Sequence, residues 1–217
     1  AGERYYLNLS GVDARHMGIE FDFTSTLNRW LEINGMLSYG DWEWSSNAKG
    51  FFYDMAGQPL ADVKEGNIAS GIQAEDHAWV MLQQKGIKVG GSAQTTASLG
   101  LTLRPLAGLR VGVDWTVFAR NFSDYTVNAS SLTANSPYNV VDPWVMPWGN
   151  QFDLSASYGF KIGNVRATIY TNLNNMFDQT YITDAYTPAN GPANWQSAYG
   201  VFYAFGRTFN VRLKINF

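Results

Sequence analysis

The chain contains no cysteine, so a disulfide scaffold and a thiolate metal site are both excluded. Charge is scarce: Asp, Glu, Lys and Arg make up 15% of the residues, and the net charge is −3. That balance gives no electrostatic case for a nucleic-acid partner. Histidine occurs twice, as His16 and His77. Neither stands in a nucleophile–base or metal-ligand arrangement, and Asp54, Asp62 and Glu65 lack calcium-loop spacing. The sequence therefore predicts no enzyme, no cofactor and no bound metal. A run of about 18 apolar residues is also missing, which excludes a membrane-spanning helix. It does not exclude spanning strands, because half of each such strand is polar. With no initiator methionine and no leader, the chain reads as a mature protein or as a piece of a longer one.

Aromatic residues, by contrast, are abundant at 15%, with 8 Trp and 12 Tyr. The dominant pattern has period two. From Phe209 onward the apolar residues Phe209, Val211, Leu213, Ile215 and Phe217 alternate with Asn210, Arg212, Lys214 and Asn216. A strand sends successive side chains to opposite faces, so this stretch has one apolar and one polar face. The same alternation predicts strands at 5–10, 19–27, 31–39, 94–104, 109–120, 151–160 and 165–174. With the last stretch these make about eight strands, and no window carries a helical period.

One apolar face can line a soluble barrel or meet lipid. Connection length favours lipid. Tight turns at Asn28-Arg29, Pro105 to Gly108 and Ile162 to Asn164 alternate with long segments at 45–90, 123–149 and 177–205. Short turns at one end and long loops at the other are the pattern of outer-membrane barrels. Aromatics at strand ends, including Trp30, Tyr39, Phe152, Tyr158, Phe160 and Phe217, fit two interfacial girdles. The fold expected is all-β: a transmembrane antiparallel β-barrel wall.

Three stretches resemble the TonB-dependent outer-membrane receptors. The run Thr171-Asn172-Leu173-Asn174-Asn175-Met176-Phe177-Asp178-Gln179-Thr180-Tyr181 is similar to their Asn-x-x-Asn-Leu-Phe-Asp-x-x-Tyr signature, with Met176 in place of Leu. Gly206-Arg207-Thr208-Phe209 and the alternating strand ending at Phe217 resemble the family's last strand. Gly11 to Glu20 is similar to an Ala-Arg-x-x-Gly-x-Glu strand start. The resemblance implies a 22-stranded barrel with a plugged lumen, of which residues 1–217 would supply the C-terminal third, without the plug domain. It implies uptake of a scarce solute (an iron chelate, cobalamin or a glycan) across the bacterial outer membrane. The implied partners are outer-membrane lipid, the remaining barrel and plug segments, TonB acting through the plug, and a surface lipoprotein. A self-contained barrel of eight strands with a structural or adhesive role is the alternative, since strands one and eight would run antiparallel.

Recognition is expected in the loops, where large rigid rings bind apolar ligands and stack on sugars. The candidate ligand-binding residues are Trp42, Trp44, Trp79, Trp144, Trp148 and Trp195. Packing of the loops against each other would account for the same rings. By the resemblance, Phe217 is the assembly signal of the barrel; as a residue, it is equally a girdle anchor.

Overall fold

The computed structural model describes residues 5–62, 67–68, 77–128 and 131–216. Glu65, Glu75, Asp76 and Phe217 lie outside the described residues. Among those described, every regular element is a strand. The first half comprises β1 (Tyr5–Ser10), β2 (Ala14–Asn28), β3 (Leu31–Trp44), β4 (Ala48–Asp54), β5 (Leu60–Asp62), β6 (Asn67–Ile68), β7 (Trp79–Gln83) and β8 (Ala93–Leu106). The second half comprises β9 (Leu109–Asn121), β10 (Asp124–Thr126), β11 (Ser136–Asn139), β12 (Gly149–Ile162), β13 (Val165–Asn174), β14 (Ile182–Pro188), β15 (Gly200–Tyr203) and β16 (Thr208–Asn216).

Seven strands form an antiparallel wall in the order β16-β13-β12-β9-β8-β3-β2. Three tight connections join neighbours along it. At the first, the Asn28 carboxamide oxygen accepts from the backbone N–H groups of Trp30 (2.9 Å) and Leu31 (3.0 Å), an Asx turn. The other two turn at Gly108 and Gly163, which hold φ of +82° and +58°. All three lie at one end of the wall, and the long segments lie at the other, as the connection lengths predict.

The register keeps one face apolar across the whole wall. Leu213 pairs with Ile169, Ile169 with Tyr158, Leu154 with Val113, Val113 with Leu101, and Leu101 with Ile33. These side chains are open: Phe209 is 78% exposed, Leu213 56% and Ile19 75%. The opposite face is polar and internally bonded. Arg104 meets Glu32 at 3.0 Å, Asn172 donates to Asn210 at 3.1 Å, and the Arg212 guanidinium lies 4.4 Å from the centre of the Tyr170 ring.

One strand departs from the expectation. Residues 5–10 do form a strand, but β1 is not in the wall; it pairs antiparallel with β4, within the first long loop. Period two fixes which residues share a face but not which strand lies alongside. The described residues do not close a small barrel either, because β2 and β16 are the opposite edges of the wall.

Candidate functional site

The long segments fold together at the far end of the wall. A four-stranded sheet of order β1-β4-β7-β11 joins the first and second loops, with β7 and β11 parallel. A three-stranded sheet of order β10-β14-β15 joins the second and third, with β10 and β14 parallel. The principal buried apolar cluster is here, not in the wall. Phe52, Ala78, Val80 and Ala189 are fully buried, with Leu60, Leu82, Tyr138 and Val140 packed among them. A soluble protein would invert this arrangement and cover its long strands first.

Alternation gives the loop sheet two faces. Leu7, Leu9, Phe52, Val80 and Leu82 share the inner one. Gly50 is needed there, because a Cβ would lie 2.7 Å from the methyl carbons of both Leu7 and Leu9. The other face displays rings: Tyr6 is opposite Tyr53, and Phe51 is opposite Trp79. His77 lies 4.9 Å from the Phe51 ring and 4.8 Å from the Tyr53 ring. Its Nε2 is 2.8 Å from the Phe52 carbonyl, which can only accept, so Nε2 carries the proton. The exposed Lys49 places Nζ 5.2 Å from the Phe51 ring centre and 5.0 Å from that of Trp79. The result is a ladder of rings with one cation over it, suited to a planar, anionic or sugar-like group.

Trp79 belongs to this ladder. Trp42 lies elsewhere, at the end of β3, stacked on His16 at 5.3 Å and 20°. Trp44 follows it, its backbone N–H donating to the Ile87 carbonyl at 2.9 Å. Trp144 and Trp195 meet edge to face at 6.5 Å. Trp148 stands just ahead of β12 and is 62% exposed. No ring contact joins these groups among the described residues. Sequence reasoning did not single out Tyr6 or Lys49, and it named His77 without giving it a ligand or catalytic set. The signal of Tyr6 and Lys49 was the alternation of 5–10 and 48–54, legible only once those strands are paired. A cavity of about 210 Å³ beside the wall's upper end is lined by Phe118, Asn121, Tyr181 and Thr183. Phe118 and Tyr181 stack there at 5.7 Å. Asn121 donates to the Thr183 carbonyl at 2.9 Å, while its own Oδ1 has no hydrogen-bond partner.

The Asn172–Tyr181 stretch is a fastening. Asn175 is buried and holds φ +50°. Its backbone N–H donates to Asp153 Oδ1 at 2.7 Å, tying it to β12. Its Nδ2 donates to the carbonyls of Gln179 (2.9 Å) and Phe205 (3.2 Å), and its Oδ1 accepts from the Gln179 N–H at 2.8 Å. Asp178 then accepts from the Arg207 N–H at 2.8 Å, fixing the start of β16. One asparagine and one aspartate thus close the third loop onto both flanking strands.

This wall, with short turns at one end and a folded cap at the other, has the fold of part of a large antiparallel β-barrel. The siderophore receptor PiuA from Acinetobacter baumannii superposes with a TM-score of 0.53 at 19% identity, over 94% of this chain and 22% of that one. The copper transporter OprC aligns over 94% of this chain and 24% of its own, at 17% identity and a TM-score of 0.49. The chain therefore spans less than a quarter of the length of either protein. No family model and no curated protein matches its sequence.

Proposed function

We propose that this chain is wall and loops of a TonB-dependent receptor in the bacterial outer membrane, taking up a scarce solute. The observation that carries the reading is the wall's sidedness. An apolar face continuous across seven strands, with large side chains exposed on every one of them, far exceeds the patches soluble monomers expose and suits hydrocarbon. The loop cap is then extracellular. The polar face turns to a lumen that the remaining barrel and plug segments complete, and TonB acts through that plug. A surface lipoprotein would dock over the cap.

Within this reading the Tyr6–Phe51–Tyr53–His77–Trp79 ladder with Lys49 is the leading contact for the solute, and the Trp144–Trp195 pair the second. Iron chelates, cobalamin and glycans all present faces that such rings bind. A titration would follow tryptophan fluorescence of the receptor carrying this chain against a ferric catecholate, cobalamin and an oligosaccharide. One of the three should bind, and Trp79→Ala with Lys49→Gln should weaken it at least tenfold. Insertion is tested separately. A variant keeping only Trp115, on the apolar face, should be quenched by brominated lipid chains, whereas one keeping only Trp79 should not. Absence of quenching at Trp115 would overturn the assignment of the apolar face to lipid.

A further inference from the structure

Among the described residues, the apolar face carries charge in one place only. From the turn end up to Tyr39, its positions on β2, β3, β8 and β9 run Leu27, Ser25, Phe23, Phe21 and Ile19; Leu31, Ile33, Gly35, Leu37 and Tyr39; Leu103 to Thr95; Leu109 to Ala119. None is ionisable except the Tyr39 phenol. Immediately beyond Tyr39, on the same face, stand Asp41, Glu43 and Arg15, the last opposite Glu43. Lys88 joins them through a bridge to Glu43. Arg120 joins by a departure from regular backbone. Its strand position belongs to the polar face, yet with φ +51° its guanidinium lies 4.5 Å from the Tyr39 ring, on the apolar side. A bulky residue with positive φ is uncommon and is held only where its surroundings over-determine it.

Five charges thus share one patch. Arg15 meets Glu43 at 2.5 Å, Lys88 meets Asp41 at 2.6 Å and Glu43 at 3.6 Å, and Arg120 meets Asp41 at 3.4 Å. Three cations face two carboxylates, which leaves one positive charge in excess. Donor capacity is in greater excess still. Arg15 commits a single N–H, to Glu43, while its side chain is 51% exposed. Each guanidinium has five N–H groups and each ammonium three. On the membrane reading of the preceding section, which this inference requires, the patch sits at the boundary between chains and headgroups of the outer leaflet. Exposed Met17, Ile19 and Tyr39 form an apolar step directly beneath it.

We propose that the Arg15–Lys88–Arg120 patch binds the phosphate of a phosphorylated glycolipid in the outer leaflet, with the acyl chains lying against Met17, Ile19 and Tyr39. The carboxylates hold the three cations convergent, and the phosphate takes the spare N–H donors. Charge complementarity selects this occupant: a zwitterionic headgroup brings its own cation, and a neutral glycolipid offers nothing for the excess positive charge.

The receptor carrying this chain would be reconstituted in phosphatidylcholine vesicles containing small fractions of lipid A, or of lipid A stripped of its phosphates. Fluorescence transfer from the wall tryptophans to labelled glycolipid would measure enrichment around the protein. Lipid A should be enriched at least fivefold over the stripped form. Arg15→Gln with Lys88→Gln should abolish the preference, and so should the triple change adding Arg120→Gln. Arg212→Gln, on the polar face, should leave it intact. Free inorganic phosphate at millimolar concentration should not compete, which separates a lipid site from a phosphate site. An unchanged preference in the double variant, or equal enrichment of both glycolipids, would show an ion-pair network and nothing more. Failure of that receptor to insert into phosphatidylcholine alone would overturn the membrane reading and this inference with it. Insertion without discrimination would overturn this inference alone.

Discussion

Asn175 shows how much one residue can fasten. Its side chain and backbone bond to β12, to Gln179 and to the segment before β16. Asn175→Ala would remove the bonds to the Gln179 and Phe205 carbonyls and to the Gln179 N–H while keeping a left-handed backbone. Gln179 and Phe205 are exposed, so water can replace the lost partner, and each bond is worth about 0.5–1.5 kcal/mol net. Denaturant unfolding should show a fall of about 1–3 kcal/mol, with the third loop becoming protease-sensitive first. Asn175→Asp should lose less, because one carboxylate oxygen can still accept from Gln179. The sequence marked this stretch only through its resemblance to the receptor signature; its fastening role, by an Asn and an Asp that tolerate left-handed backbone and accept from N–H groups, came with the structure. The turning of Arg120 was not. Nothing in Ala119-Arg120-Asn121 distinguishes it from the alternation that precedes it, and its direction is set by Gly40, Asp41 and Tyr39 on a strand far away in sequence.

Among elements, β16 and β4 make opposite demands on solvent. Leu213→Arg places a charge on the open apolar face and should oppose insertion by roughly 2–4 kcal/mol near the midplane. Asn210→Ala, on the polar face, should cost far less. Comparable losses of membrane-protected material after protease treatment would show that the faces are misassigned. In β4, Phe52 is fully buried in the cap. Phe52→Ala should cost about 3–5 kcal/mol. The loss should show as faster amide exchange in β1, β4 and β7, with the wall amides unchanged. The seven wall strands were readable because each carries many residues of strict alternation between turn residues. The cap strands were not. They have two to seven residues each, within segments rich in Gly, Asp and rings, and the parallel partners lie far away along the chain. β1 was recognised as a strand and assigned to the wall, because alternation looks the same wherever the partner lies.

Across the whole molecule, pH reaches the cap through the junction of the second and third loops. Burial pushes the Asp124 carboxyl above its ordinary range, and nearby Asp184 adds to the rise. The same two carboxylates, Asp184 first, raise the Tyr186 hydroxyl. A raised acid favours the folded state in its protonated form. That contribution is therefore present at low pH and lost as pH rises through the raised value. Amide exchange in β10 and β14, corrected for intrinsic rates, should be slowest on the acid side and accelerate through this window. Asp124→Asn should flatten the profile. A profile unchanged by that substitution would assign the dependence to another group.

The parallel pairings β7–β11 and β10–β14 carry a consequence for anyone wishing to re-engineer this surface. Neither pair lies within one loop; each takes one strand from each of two loops. A donor loop grafted alone would arrive without its partner strand, leaving the host's β7 or β14 with an open edge inside the cap. The three loops are thus a single transplantable cassette. Homologues that diverge at this end should exchange it whole, while tolerating independent drift in the three turns at the other.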